Sequence, residues 1–174
     1  WEGETGYVPM FHPAAALRAR QKSEAAIVGG SVNALPLADA SIATVLSADV
    51  LSHARVEPDV ALAEIARVLR PGGYAVFNLP AYDWLRSAHD ARVHNARRFT
   101  ARGFAAILRQ AGLEPVRTTH WNSFLLPLMV LRRLTERGEA AKSDVMEYPA
   151  VVNALFGAIL ALESGLIALG VRLP

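Results

Sequence analysis

Not one of the 174 residues is a cysteine. That absence removes disulfides, thiolate metal sites and cysteine nucleophiles together, and it accords with a cytoplasmic setting. A dominant charge of one sign is missing too. Eighteen Lys and Arg against sixteen Asp and Glu leave a formal charge of +2, so no strong field gathers a polyanion and nucleic acid is not expected as a partner. The arginines do cluster locally, at Arg92, Arg97, Arg98 and Arg102 and again at Arg132 and Arg133. The chain holds no G-x-G-x-x-G stretch to cradle a pyrophosphate, which argues against a dinucleotide-dependent dehydrogenase. Repeats and low-complexity tracts are lacking as well.

What is present is apolar: 52% of the residues are hydrophobic, enough for one α/β core at this length but not for two independent ones. The most informative stretch is EIARVLRPGG, residues 64–73, running into YAVFNLP, residues 74–80. Its spacing predicts a helix from about Asp59 to Leu69, stopped by Pro71, turned at Gly72-Gly73 and followed by a strand over 74–79. Further strands are expected over Ala25–Val28 and over Ser41–Ser47, the latter buried on both faces as an interior parallel strand. Residues 13–21 read as a short helix opened by Pro13. A helix from Ala101 to about Gln110 is expected with Thr100 as its N-cap and Gly112 as its terminator, and residues 114–121 as a strand. Strands alternating with helices on short turns imply an α/β fold with a doubly wound, Rossmann-like, mostly parallel sheet.

The order of these pieces resembles the class I S-adenosylmethionine-dependent methyltransferases. The resemblance is carried by Leu35-Pro36-Leu37, by Val50-Leu51-Ser52-His53, by Glu64 to Gly73 and by the strand Tyr74 to Leu79. The segment AYDWLRSAHDARVHNARRFT, residues 81–100, resembles a subgroup with Y-x-W-L-x-S-x-H-D and H-x-R-R-Y/F-T signatures. It implies S-adenosyl-L-methionine as cofactor and an incomplete fold. The first strand and its glycine loop are expected upstream of Trp1, and a last antiparallel strand beyond Pro174. Residues 1–135 are read as the partial methyltransferase domain and residues 136–174 as an apolar helical extension of it, joined through the polar stretch 136–149.

In open α/β sheets ligands sit at the carboxyl ends of the strands. By resemblance, Met10 at the end of its strand would address the ribose hydroxyls, Ser31 and Val32 the adenine, and Ala48 and Asp49 the methionine portion. Two departures stand out: Pro9-Met10-Phe11 offers no carboxylate for the ribose, and Gly30-Ser31 stands where the family usually has Gly-Asp. His53 is a candidate base beside the methyl donor, or else packs on the strand end. Asp49 orients the cofactor amine, or bonds a loop amide. Tyr82, Trp84, His89, Asp90, His94, Arg97 and Arg98 form the densest polar and aromatic cluster, expected to face the acceptor. In it His94 is a candidate base and the two guanidiniums can fork onto a carboxylate or phosphate, or else cap helix ends or pair with surface acids. No metal site is expected, since His89, Asp90 and His94 lack a third ligand at characteristic spacing.

The C-terminal third is apolar over 123–131 and again over 150–171, with Asn153 and Glu163 inside the second run. Two helices are expected, meeting a membrane surface peripherally or a second copy, or else lying as a buried cover over the sheet, with Glu163 turned away from any exposed face. The composite expectation is methyl transfer to a small-molecule or lipid-linked acceptor. The alternative is a non-catalytic, membrane-peripheral interaction module that keeps the fold.

Overall fold

A computed structural model of the chain describes residues 7–10, 21–22, 26–86, 90, 94–135 and 148–173. The expected helix over 13–21 and the polar stretch 136–147 lie largely outside the described residues.

The core forms around helix α1 (Pro58–Val68), whose first turn holds a proline and Asp59, both suited to a helix start. Ala61, Leu62, Ile65 and Val68 recur at helical spacing and are all buried. They pack with Leu35, Leu51, Val56 and Leu69 and with Phe104 and Leu108 of helix α2 (Ala101–Gln110). Phe104 meets Phe77 and Phe99 edge-on, with centroids 5.2 and 5.4 Å apart, an arrangement that adds to their area burial. As expected, Thr100 Oγ1 accepts from Gly103 N at 3.1 Å, and Gly112 follows the helix with a φ of 79°.

Strands β1 (Tyr7–Met10) and β2 (Ala26–Gly29) pair in parallel, as do β3 (Ile42–Ala48) and β4 (Leu69–Asn78). Helix α1 is the crossover that makes the second pair parallel. The expected turn at Pro71-Gly72-Gly73 is drawn into β4 as an irregularity: Leu69 pairs with Ile42, and pairing resumes at Tyr74 with Thr44. Both glycines are needed there. Gly72 has a φ of 77°, and a Cβ on Gly73 would sit 2.8 Å from the Ala43 carbonyl oxygen.

Two expectations are corrected. Strand β3 is not buried on both faces: Val45 packs toward the core with Ala75 and Phe77, while Leu46 is 73% exposed beside Tyr74 and Val76. The reason is that α1 and α2 pack on one face of the pair, so the period-two alternation leaves the other face open among the described residues. Residues 114–121 form no strand. Side chains take up the segment instead: Thr119 Oγ1 accepts from Leu173 N at 3.1 Å, and His120 Nδ1 lies 3.2 Å from the Leu173 carbonyl.

Helices α3 (Leu126–Thr135) and α4 (Ala150–Ala168) follow, the second long and apolar enough to cross a bilayer by length and composition. Most of α4 is exposed, including Val151, Leu155 and Leu162. Glu163 is the exception at 1% exposure. Its Oε1 accepts from Ser123 N at 3.2 Å and its Oε2 from Phe124 N at 3.1 Å, so the carboxylate is turned inward and hydrogen-bonded. The Arg117 guanidinium also donates to the Ile167 carbonyl near the end of α4.

Candidate functional site at the carboxyl edge of the parallel strands

Because β3 and β4 run in parallel, residues 48–53 and 79–86 leave the sheet from the same edge, where residues 94–99 join them. Backbone and side-chain bonds weld them together. Asp49 N donates to the Asn78 carbonyl at 2.8 Å, and Ala96 N donates to the Ser52 carbonyl at 2.8 Å. Ser52 Oγ, on a buried residue, lies 2.8 Å from the Asp49 carbonyl and 2.9 Å from Asn95 Oδ1.

The two arginines are turned into this framework. Arg97 Nη1 reaches the carbonyls of His53 at 3.0 Å and Val56 at 2.6 Å. Arg98 Nη2 grips both carboxylate oxygens of Asp90, at 3.0 and 2.9 Å, while its Nη1 donates to the Ala81 carbonyl at 2.8 Å. Asp90 is 3% exposed, so the pair is an internal one, and one guanidinium nitrogen shared between both carboxylate oxygens ties the loop to it. Arg98 thus meets an internal acid, whereas Arg97 is spent on backbone carbonyls. His89 lies outside the described residues.

His53 and His94 are brought together, rings edge to face with centroids 5.8 Å apart. His53 Nδ1 accepts from Arg55 N at 3.2 Å. His94 is exposed with a φ of 57°. Asp49 at 56°, Tyr82 at 57° and Asn122 at 65° share that left-handed region, which costs a non-glycine residue on the order of 1 kcal/mol and gathers at functional sites.

Tyr82 and Trp84 were expected here, but sequence reasoning missed the side chains that join them, His120, Trp121 and Asn78. The Tyr82 and His120 rings stack at 5.3 Å with an interplanar angle of 16°, and the Tyr82 hydroxyl lies 3.2 Å from His120 Nε2. Trp84 lies over Tyr82 at 6.1 Å and is 64% exposed. Trp121 Nε1 donates to Asn78 Oδ1 at 2.8 Å, on the last residue of β4. The available signal was His-Trp-Asn at 120–122, a polar aromatic cluster ending the segment read as a strand.

On the cofactor side, Met10 ends β1, and Ser31 Oγ accepts from Asn33 N at 3.2 Å within a tight turn. Val32 is half-buried and packs on the core. The space beside Gly30 is taken by Pro36, whose Cδ would lie 2.7 Å from an added Cβ. Ala48 and Asp49 are exposed. Partial burial of its carboxyl nonetheless pushes the Asp49 pKa above the ordinary value. Glu64 belongs to the scaffold: Arg67, bonded at 2.8 Å to each carboxylate oxygen, holds its pKa down to about 2, aided by the Leu35 N–H at 2.7 Å.

The methyltransferase domain family matches residues 7–77. A ubiquinone/menaquinone biosynthesis C-methyltransferase of Rubrivivax gelatinosus is 39% identical, the match covering 51% of this chain and 45% of the relative. Among solved structures, a complex of the Haloferax volcanii Trm112 methyltransferase activator with a methyltransferase aligns at a TM-score of 0.56 and 24% identity, covering 63% of this chain and 51% of that one. A S-adenosylmethionine-dependent methyltransferase of Thermotoga maritima aligns at 0.54 and 23%, covering 60% and 53%. The chain thus spans about half the length of the relatives it matches.

Proposed function

We propose that this chain, whose Rossmann-like α/β fold and match over residues 7–77 resemble a class I methyltransferase domain, belongs to a protein that transfers a methyl group from S-adenosylmethionine to a hydroxyl-bearing aromatic acceptor, one that is lipid-linked. The bound cofactor supplies an activated methyl on a sulfonium. The protein's share is to bind, align and exclude water. Asp49 would hold the positively charged amino group, Val32 the adenine face with the Ser31 turn, and Ala48 the methionine chain. With no carboxylate at Met10, ribose recognition falls to the backbone there.

The observation that carries the acceptor side is the ring cluster of Tyr82, Trp84, His120 and Trp121 around the end of β4. Flat exposed rings favour a flat acceptor. That a relative acts in quinone biosynthesis agrees with such an acceptor. The exposed apolar length of α4 suits a lipid surface on which a lipid-linked acceptor resides. His53 and His94, stacked edge-on, are a second candidate pair for proton handling.

The test uses the purified full-length protein. Calorimetric titration with S-adenosylmethionine reads donor binding, and tritiated donor with 1,4-dihydroxynaphthalene or catechol reads transfer. Binding with transfer to a phenol is expected. Absence of donor binding would overturn the reading in favour of a non-catalytic module.

A further inference from the structure

Deepening that reading and resting on it, we infer that Tyr82, His120 and the Leu173 carbonyl form a proton relay that takes the hydroxyl proton of the acceptor. The far end sets the direction. A carbonyl oxygen can only accept, so His120 Nδ1, 3.2 Å from the Leu173 oxygen, carries a hydrogen. In a neutral imidazole the other nitrogen then bears the lone pair, and the Tyr82 hydroxyl, 3.2 Å from Nε2, donates to it. The Tyr82 oxygen keeps its own lone pairs for an incoming hydroxyl.

The step balances. The acceptor O–H bond breaks as a new O–H bond forms on Tyr82, whose original proton passes to His120 Nε2. The acceptor oxygen keeps the electron pair as a phenolate, a far better nucleophile than the phenol. The proton ends on an imidazolium whose Nδ1–H still faces the Leu173 carbonyl.

Several features hold this chain of groups in place. The stacked rings fix Tyr82 against His120. Tyr82 is kept at its left-handed φ by bonds from its N–H to the Phe99 carbonyl at 3.2 Å and from Leu85 N to its own carbonyl at 3.0 Å. Leu173 is clamped by its N–H on Thr119 Oγ1. The segment after α4 is therefore a working part of the site, and Trp84 makes the shelf on which a planar ring lies beside the relay. His53, whose Nδ1 faces the Arg55 N–H, has no comparable carbonyl-terminated chain among the described residues. The substrate class that this selects is a phenol or hydroquinone, whose hydroxyl is acidic enough to be deprotonated by imidazole through tyrosine; aliphatic alcohols are excluded.

Two measurements test it on the full-length protein. In ¹⁵N histidine spectra, His120 is expected as the neutral Nδ1–H form, with its Nε2 resonance moving in Tyr82→Phe. A resonance pattern showing Nε2–H overturns the relay whatever the activity. In methyl-transfer assays, His120→Gln is expected to lower kcat for catechol by about a hundredfold or more with KM little changed. The loss should shrink for 4-nitrocatechol, whose hydroxyl needs less help to ionise. An equal loss on both catechols, or a change confined to KM, overturns it. Donor binding without transfer to any phenol would defeat the functional reading instead, and the nitrogen spectra would still judge the relay.

Discussion

Changing Glu64 to Gln probes the clamp that ties α1 to the segment preceding β3. Glu64 accepts from Leu35 N through Oε2 at 2.7 Å and from Arg67 through both oxygens, while Arg67 reaches on to the Leu35 and Leu37 carbonyls at 3.0 and 2.9 Å. The carboxyl pKa drops from 4.5 to about 2, chiefly through the Arg67 hydrogen bonds, and a shift of that size corresponds to about 3 kcal/mol. Its side chain is 21% exposed and that of Arg67 31%, so solvent screening reduces the contribution to about 1 kcal/mol. Gln keeps the shape and one acceptor, so what is lost is the charge assistance. The expected loss is about 1 kcal/mol at pH 7, or roughly 2–4 °C in Tm for a domain of this size. Because the folded pKa is depressed, the stabilisation is fully present above pH 4.5 and is lost as pH falls toward about 2. Urea unfolding of wild type and variant at pH 7 and at about pH 2.5 reads this directly. Equal midpoints at pH 7, or a gap that survives acidification, would refute the reasoning.

Asp90→Ala, which leaves the Arg98 guanidinium without its buried carboxylate, should cost about 3 kcal/mol in urea unfolding; a loss below 1 kcal/mol would show the pair to be solvated. Gly73→Ala should lower stability by about 1–3 kcal/mol, because the new Cβ meets the Ala43 carbonyl oxygen at 2.8 Å, and unchanged unfolding would mean that β4 re-registers freely. Asp49→Asn should weaken S-adenosylmethionine binding at neutral pH. Since burial raises the Asp49 pKa, wild-type affinity should begin to fall on acidification at a higher pH than an unperturbed aspartate would give, and calorimetry showing the same pH profile in both proteins would oppose the assignment. Liposome flotation should recover the full-length protein with vesicles, and Leu155→Glu on the exposed length of α4 should return it to the soluble fraction.

The sequence by itself determined the repeating elements. Apolar spacing fixed α1, Thr100 and Gly112 bounded α2, and the ordered motifs from Leu35 to Leu79 identified the fold, because each of these signals is local or depends on chain order alone. The E-x-x-R pair was visible as a motif, but its work as a clamp on Leu35, Leu37 and Asp39 joins groups about thirty residues apart, and only packing reveals that. The same holds at the site. His53, His94, Tyr82 and Asp49 were nameable from their places after strands, yet nothing local says that Arg97 and Arg98 turn inward. A guanidinium reads identically in sequence whether it faces a ligand or three carbonyls. Tertiary structure alone decided that β3 has one open face, that residues 114–121 stay out of the sheet, and that His120 meets Tyr82 on one side and Leu173 on the other. Those outcomes depend on which neighbour supplies each hydrogen-bond partner, and a sequence lists the donors and acceptors without saying which will meet.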